Sequence, residues 1–166
     1  MSTKATPESV MFLRDFLVAR IREEHACTDR VFAELKDGNW HPDPKARGAL
    51  EIASHLATSE RWFLRSLGKR KFEDEGERPA LASVPQIIAH YNIGLEGDFA
   101  AISALTGEQL LEPTEFFGMT LPLYALINFA HVHTIHHRAQ LSTYLRPLGG
   151  KVPDIYGGSA DTPYQP

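Results

Sequence analysis

The chain has 166 residues, 43% of them hydrophobic and 23% charged, which describes one ordinary globular domain spanning 1–166 and excludes disordered and fibrous classes. A formal charge of −4 with both signs mixed along the chain leaves no broad basic surface, so neither nucleic acid nor an anionic membrane is an expected partner. The single cysteine, Cys27, permits no intrachain disulfide, and no stretch approaches the roughly 20 apolar residues that span a bilayer; both point to the cytoplasm.

Four segments with helical periodicity are separated by Pro, Gly and Asp, so the expected class is all-α. The first spans about 7–37. Thr6 caps it, Pro7 suits its first position, and its apolar row runs Val10, Leu13, Leu17, Ile21, Thr28, Val31 and Leu35. The second covers about 46–68, with Leu50, Ile52, Ala53, Leu56, Trp62, Phe63 and Leu67, and Gly68 stands at its end. A charged linker, KRKFEDEGERPA, leads to the third segment, about 83–105, where Ser83 caps and Pro85 falls in the first turn. Gly94 and Gly97 weaken that helix by roughly 1 kcal/mol each relative to alanine.

The stretch TGEQLLEPTEFFGMT reads as a loop with a short hairpin-like or irregular piece. The fourth helix covers about 121–146 and stops at Pro147 and Gly149-Gly150. The remaining arm, 147–166, is rich in Pro, Gly and Asp and shows no period.

Four of the eight histidines lie in the fourth helix, in FAHVHTIHHRAQ. At 100° per residue His137 is about 40° from His133, His136 about 60° away on the other side, and His131 about 160° away. The face shared by His133 and His137 also carries Leu126, Phe129, Ala130, Gln140, Leu141 and Tyr144, which makes it the inward stripe. An inward His pair at i and i+4 can reach one metal ion from a single helix. Zinc proteases place the general-base glutamate after the first histidine; here that position is Thr134, so that chemistry is excluded.

By itself the pair reads as two hydrogen-bonded core histidines before it reads as a metal site, and a third ligand from another helix is needed to reverse that. His55 is the best candidate for that, at the edge of the second helix's apolar stripe. His136 is a competitor for the place of His137. His25 and His90 are expected at helix surfaces or boundaries, and His41 in a solvated loop. Glu60 is expected to point away from the site, Gln140 inward, and Arg138 sideways into an ion pair or interface.

The run HVHTIHHRAQLSTYLRPLGGKVPDIYGGSAD resembles the last helix and tail of the DinB/YfiT-like family (the DinB superfamily), whose signature there is H-x-x-H-H-R-[GA]-Q followed by YLR. ARGALEIASHLATSERWFL is similar to the family's other motif, a histidine before a Ser/Glu/Arg/Trp run. The first and third helices match in length and pattern alone, and Ala139 stands where glycine is commoner.

The resemblance implies an up-down-down-up four-helix bundle, a homodimer, and a divalent metal (zinc, nickel or iron) held by His55, His133 and His137. It further implies a metal-dependent enzyme of thiol S-transferase type, taking a small-molecule thiol and an electrophilic substrate. A metal-dependent hydrolase is the close alternative, and a non-catalytic, metal-stabilised stress-response or binding protein the distant one.

Overall fold

Most of the chain coils into helix where the periodicity places it. The computed structural model describes residues 5–38, 40–73, 79 and 81–164. In chain order the elements are α1 (Pro7–Glu34), α2 (Ala49–Lys69), α3 (Val84–Asn92), α4 (Leu95–Ser103), α5 (Gly107–Leu111), β1 (Pro113–Phe116), β2 (Met119–Pro122) and α6 (Leu123–Tyr144), then a 3₁₀ turn at Arg146–Leu148. Part of the linker expected after α2, residues 74–78 and 80, lies outside the described residues.

Local chemistry accounts for the boundaries. Thr6 caps α1 by accepting from the Ser9 amide, while the Ser9 hydroxyl oxygen accepts from the Thr6 amide. Gly48 precedes α2, and its amide donates to Glu51 Oε2 at 2.7 Å. Ser83 stands at the N-cap of α3 as expected but makes no side-chain cap bond.

The expected third helix is two helices. Gly94 takes φ +68°, a left-handed conformation open to glycine at little cost, and the chain turns there before α4 begins. The hairpin-like stretch is a real antiparallel hairpin, with Phe116 paired to Met119 across a turn at Phe117-Gly118, and α5 precedes it.

α6 packs chiefly on α1 and α2, and α2 also packs on α3 and α4. This arrangement surrounds α2, so from Leu56 to Leu64 every one of its residues is buried. Two apolar clusters form. One joins Leu17, Ile21, Leu64, Phe99, Ile102 and Leu126; the other joins Phe32, Leu56, Ile87, Tyr91 and Leu141. Between them, on each of the three long helices, lies a buried polar segment: Glu24, His25 and Thr28 on α1, Thr58 to Arg61 on α2, Thr134 and Arg138 on α6. The histidine-bearing stretches of α2 and α6 border this polar band.

Candidate metal centre

Both glutamates of the band are paired. Glu60 Oε1 faces His25 Nδ1 at 2.6 Å, and Glu60 Oε2 accepts from the Tyr91 and Thr134 hydroxyls, each at 2.7 Å. On its other side the His25 ring meets Asn92 Oδ1 at 3.1 Å. Because Asn92 Nδ2 donates to Asp29 and to the Ile88 carbonyl, its oxygen is the atom left to accept from His25. Both ring nitrogens therefore face acceptors, the pattern of an imidazolium, and the ring stacks on Tyr91 at 3.9 Å. Burial works against the charge, but the bonds to Glu60 and Asn92 outweigh it and hold the His25 pKa above its ordinary value. Burial also drives the Tyr91 hydroxyl well above its usual range.

A second buried pair joins Glu24 of α1 to Arg138 of α6, and the Tyr156 hydroxyl from the C-terminal arm donates to Glu24 at 2.8 Å.

Three expectations are corrected here. His25 is a buried member of the band, not a surface or boundary residue. Gln140, expected inward, is exposed. Arg138 makes the expected ion pair, but it does so fully buried. The physical reason is shared: helices pack around α2 on several sides, and the central line of α6 runs through Ala130, Thr134 and Arg138, so a wheel with a single inward face misplaces them.

His133 and His137 lie beside that central line, half-buried, and across from them stands half-buried His55 of α2. One nitrogen from each of the three falls within 4.8 Å of the other two. The rings pack edge to face, with centroids 4.5 Å apart for His133 and His137, 4.6 Å for His55 and His137, and 5.4 Å for His55 and His133. A tetrahedral ion with bonds of about 2.1 Å requires nitrogens roughly 3.4 Å apart, within reach of small side-chain rotations. His136, the competitor, is exposed and stands outside this set; His131 is half-buried elsewhere on α6. His41 is exposed as expected, its Nδ1 bonded to the Ala46 carbonyl oxygen at 2.9 Å, and His90 is half-buried.

The surroundings suit a ligand set. Gln140 is exposed, yet its Oε1 lies 2.8 Å from His137 Nδ1, which fixes that nitrogen as the protonated one and leaves the Nε2 lone pair to ligate. The Ser59 hydroxyl sits 3.3 Å from His55 Nδ1. Burial, aided by the positive fields of His136 and Arg47 and opposed by the Gln140 bond, keeps the His137 pKa below its ordinary value. A neutral imidazole is the form that binds a metal.

On one side the triad meets aromatic rings. Phe63 and Phe129 lie 5.2 and 6.4 Å from the His133 ring, within a cluster that includes Trp62, Phe72 and Phe116. The hairpin supplies Phe116 to this cluster. On the other side two cavities open on His55. One of about 390 Å³ also reaches His137, Gln140 and Tyr144; the other, of about 400 Å³, reaches Ser54, Thr58 and Leu81.

The DinB family pattern matches residues 1–165. This chain belongs to the DinB family. Its fold is similar to that of a DinB-like protein from Bacillus cereus, at 25% identity and a TM-score of 0.72, over 84% of this chain and 95% of that one. A DinB-like protein from Bacillus subtilis is similar at 21% identity and a TM-score of 0.66, over 84% and 96%. Among curated proteins none matches. The three histidines brought together are those carried over from the DinB resemblance. Among the described residues no helix is long and apolar enough to cross a membrane.

Proposed function

We propose that this DinB-family chain holds a divalent transition metal (zinc, nickel or iron) on His55, His133 and His137, and that it is an enzyme transferring a small-molecule thiol to small electrophiles. The observation that carries the reading is the convergence of three imidazoles from two helices on a point flanked by two open cavities. A structural site has four protein ligands and is closed; a set of three beside open space suits substrate entry. Bound there, such an ion supplies Lewis acidity and lowers the pKa of a thiol or water.

The chain's own residues do the rest. Gln140 and Ser59 orient two of the ligand rings. Buried Phe63, packed on the His133 ring, and Phe116 against it exclude water on that side, with exposed Phe129 beside them, and the cavities beside His55 admit the reactants. In the transfer the thiol proton passes to water, the sulfur forms a bond to the electrophilic carbon, and the leaving group departs with the bonding pair.

We further propose the up-down-down-up bundle for this chain, with α3 and α4 together forming its third helix, a cytoplasmic location suited to the unpaired Cys27, and a homodimer. Phe12 and Phe16, one turn apart and exposed on α1, are apolar surface consistent with association.

Metal analysis of the purified protein, with His55→Ala, His133→Ala and His137→Ala beside it, tests the site. Thiol-transfer assays with several thiols test the chemistry. Stoichiometric metal lost in each variant, together with metal-dependent transfer, is the expected result. Metal binding unchanged in all three variants refutes the site, and bound metal without turnover by any thiol leaves a metal-stabilised binding protein in its place.

A further inference from the structure

The two cavities beside the triad share two residues, His55 and Arg47. Arg47 precedes α2, separated from it by the N-cap Gly48, and is exposed. It makes no ion pair with any described residue. The nearest carboxylate along the chain in that lining, Glu51, is already accepting from the Gly48 amide at 2.7 Å. Apart from the triad, the other described lining residues are neutral, among them Ile52, Gln140 and Tyr144 on one side, Leu50, Ser54 and Leu81 on the other. An uncommitted guanidinium at the junction of both cavities offers a planar fork of donors, which matches an oxyanion in two-point fashion. Among the described lining residues Arg47 is the one guanidinium, and the one carboxylate, Glu51, already accepts from an amide.

We infer that Arg47 is the specificity residue of this site, selecting reactants that carry a carboxylate or similar oxyanion a short distance from the sulfur. The inference rests on the metal reading above and adds the substrate class: small anionic thiols, in preference to neutral or cationic ones.

The test uses the full chain loaded with Co(II) and follows the thiolate-to-cobalt absorption during titration. The probes are 3-mercaptopropionate, 2-mercaptoethanesulfonate, 2-mercaptoethanol and cysteamine. The anionic thiols should bind about tenfold more tightly than 2-mercaptoethanol, the lower end of the range for a hydrogen bond to a charged group, because Arg47 is exposed. Preference for either anion supports the role and shows which oxyanion is read. Arg47→Gln should bring the anionic thiols to within about threefold of the neutral one, and Arg47→Glu should shift preference to cysteamine. Both variants replace an exposed side chain, and an unchanged cobalt stoichiometry and helical circular dichroism confirm that each is folded. Cobalt bound with anionic and neutral thiols alike, or an anion preference that survives Arg47→Gln, overturns the role of Arg47 alone. No cobalt bound overturns the metal reading and this inference with it.

Discussion

Glu60→Ala is the most informative perturbation of the polar band. In the native chain the Glu60 carboxylate accepts from His25, Tyr91 and Thr134, and all four residues are buried. The substitution removes all three acceptor contacts at once. The His25 ring loses its buried counter-charge and must give up a proton; breaking a buried pair costs about 3–5 kcal/mol. The Tyr91 hydroxyl, fully buried, loses its acceptor, which by itself costs about 1–3 kcal/mol. Thr134 escapes, because a helical threonine can turn to the carbonyl four residues back. These costs overlap, since a neutral His25 no longer needs the carboxylate, so a loss of about 4 kcal/mol is expected. For a chain of this length that corresponds to a fall in melting temperature of about 8–16 °C. Urea unfolding at pH 6 with a common slope measures it, and Glu60→Gln, which keeps one acceptor, should cost about half as much. A loss below about 1 kcal/mol for Glu60→Ala would refute the reasoning.

The same network predicts a pH effect. The His25 pKa is raised on folding, so its contribution is fully present below the unfolded value of about 6.5 and is lost as pH rises through the higher folded value. Urea midpoints measured from pH 6 to 9 should fall across that window in the wild type and show a smaller fall in Glu60→Ala. At the histidine triad, saturating metal at 100 times its Kd should add about 2.7 kcal/mol to wild-type stability, and any of His55→Ala, His133→Ala or His137→Ala should abolish that increment in a thermal melt. Gly107→Ala should destabilise by about 1–3 kcal/mol, because a Cβ there lies 2.5 Å from the Pro7 Cα, where backbone cannot easily yield; urea unfolding checks it.

The parts of this structure that repeat along one helix were legible in the sequence. The apolar rows of α1 and α2 and the i, i+4 pair His133 and His137 are properties of a single helix, and the wheel finds them. So is the glycine signal at Gly94, although periodicity on both sides suggested a weakened helix where a full turn occurs. Glu60 was not legible. Its position on α2 turns it from the triad, and no spacing within one segment encodes what it meets there, His25 of α1, Tyr91 of α3 and Thr134 of α6. The burial of Arg138 was hidden for the same reason: it depends on Glu24, 114 residues away, and on an arm with no period of its own. Arg47 gave no signal either, since it lies in a stretch between helices and matters only through cavities formed by others.

The pairing of Glu24 with Arg138 also has a consequence for how the chain is made. Glu24 leaves the ribosome 114 residues ahead of its partner. At roughly 5–20 residues per second the interval is about 6–23 s. Throughout that time α1 carries an acid and part of an apolar stripe whose partners on α6 have not been synthesised. Its final burial awaits α6, and the Tyr156 hydroxyl that closes over the pair arrives later still. Fusing the emerging α1 to a stalled, α6-less chain should therefore yield a segment open to proteases, whereas release of the completed chain should protect it.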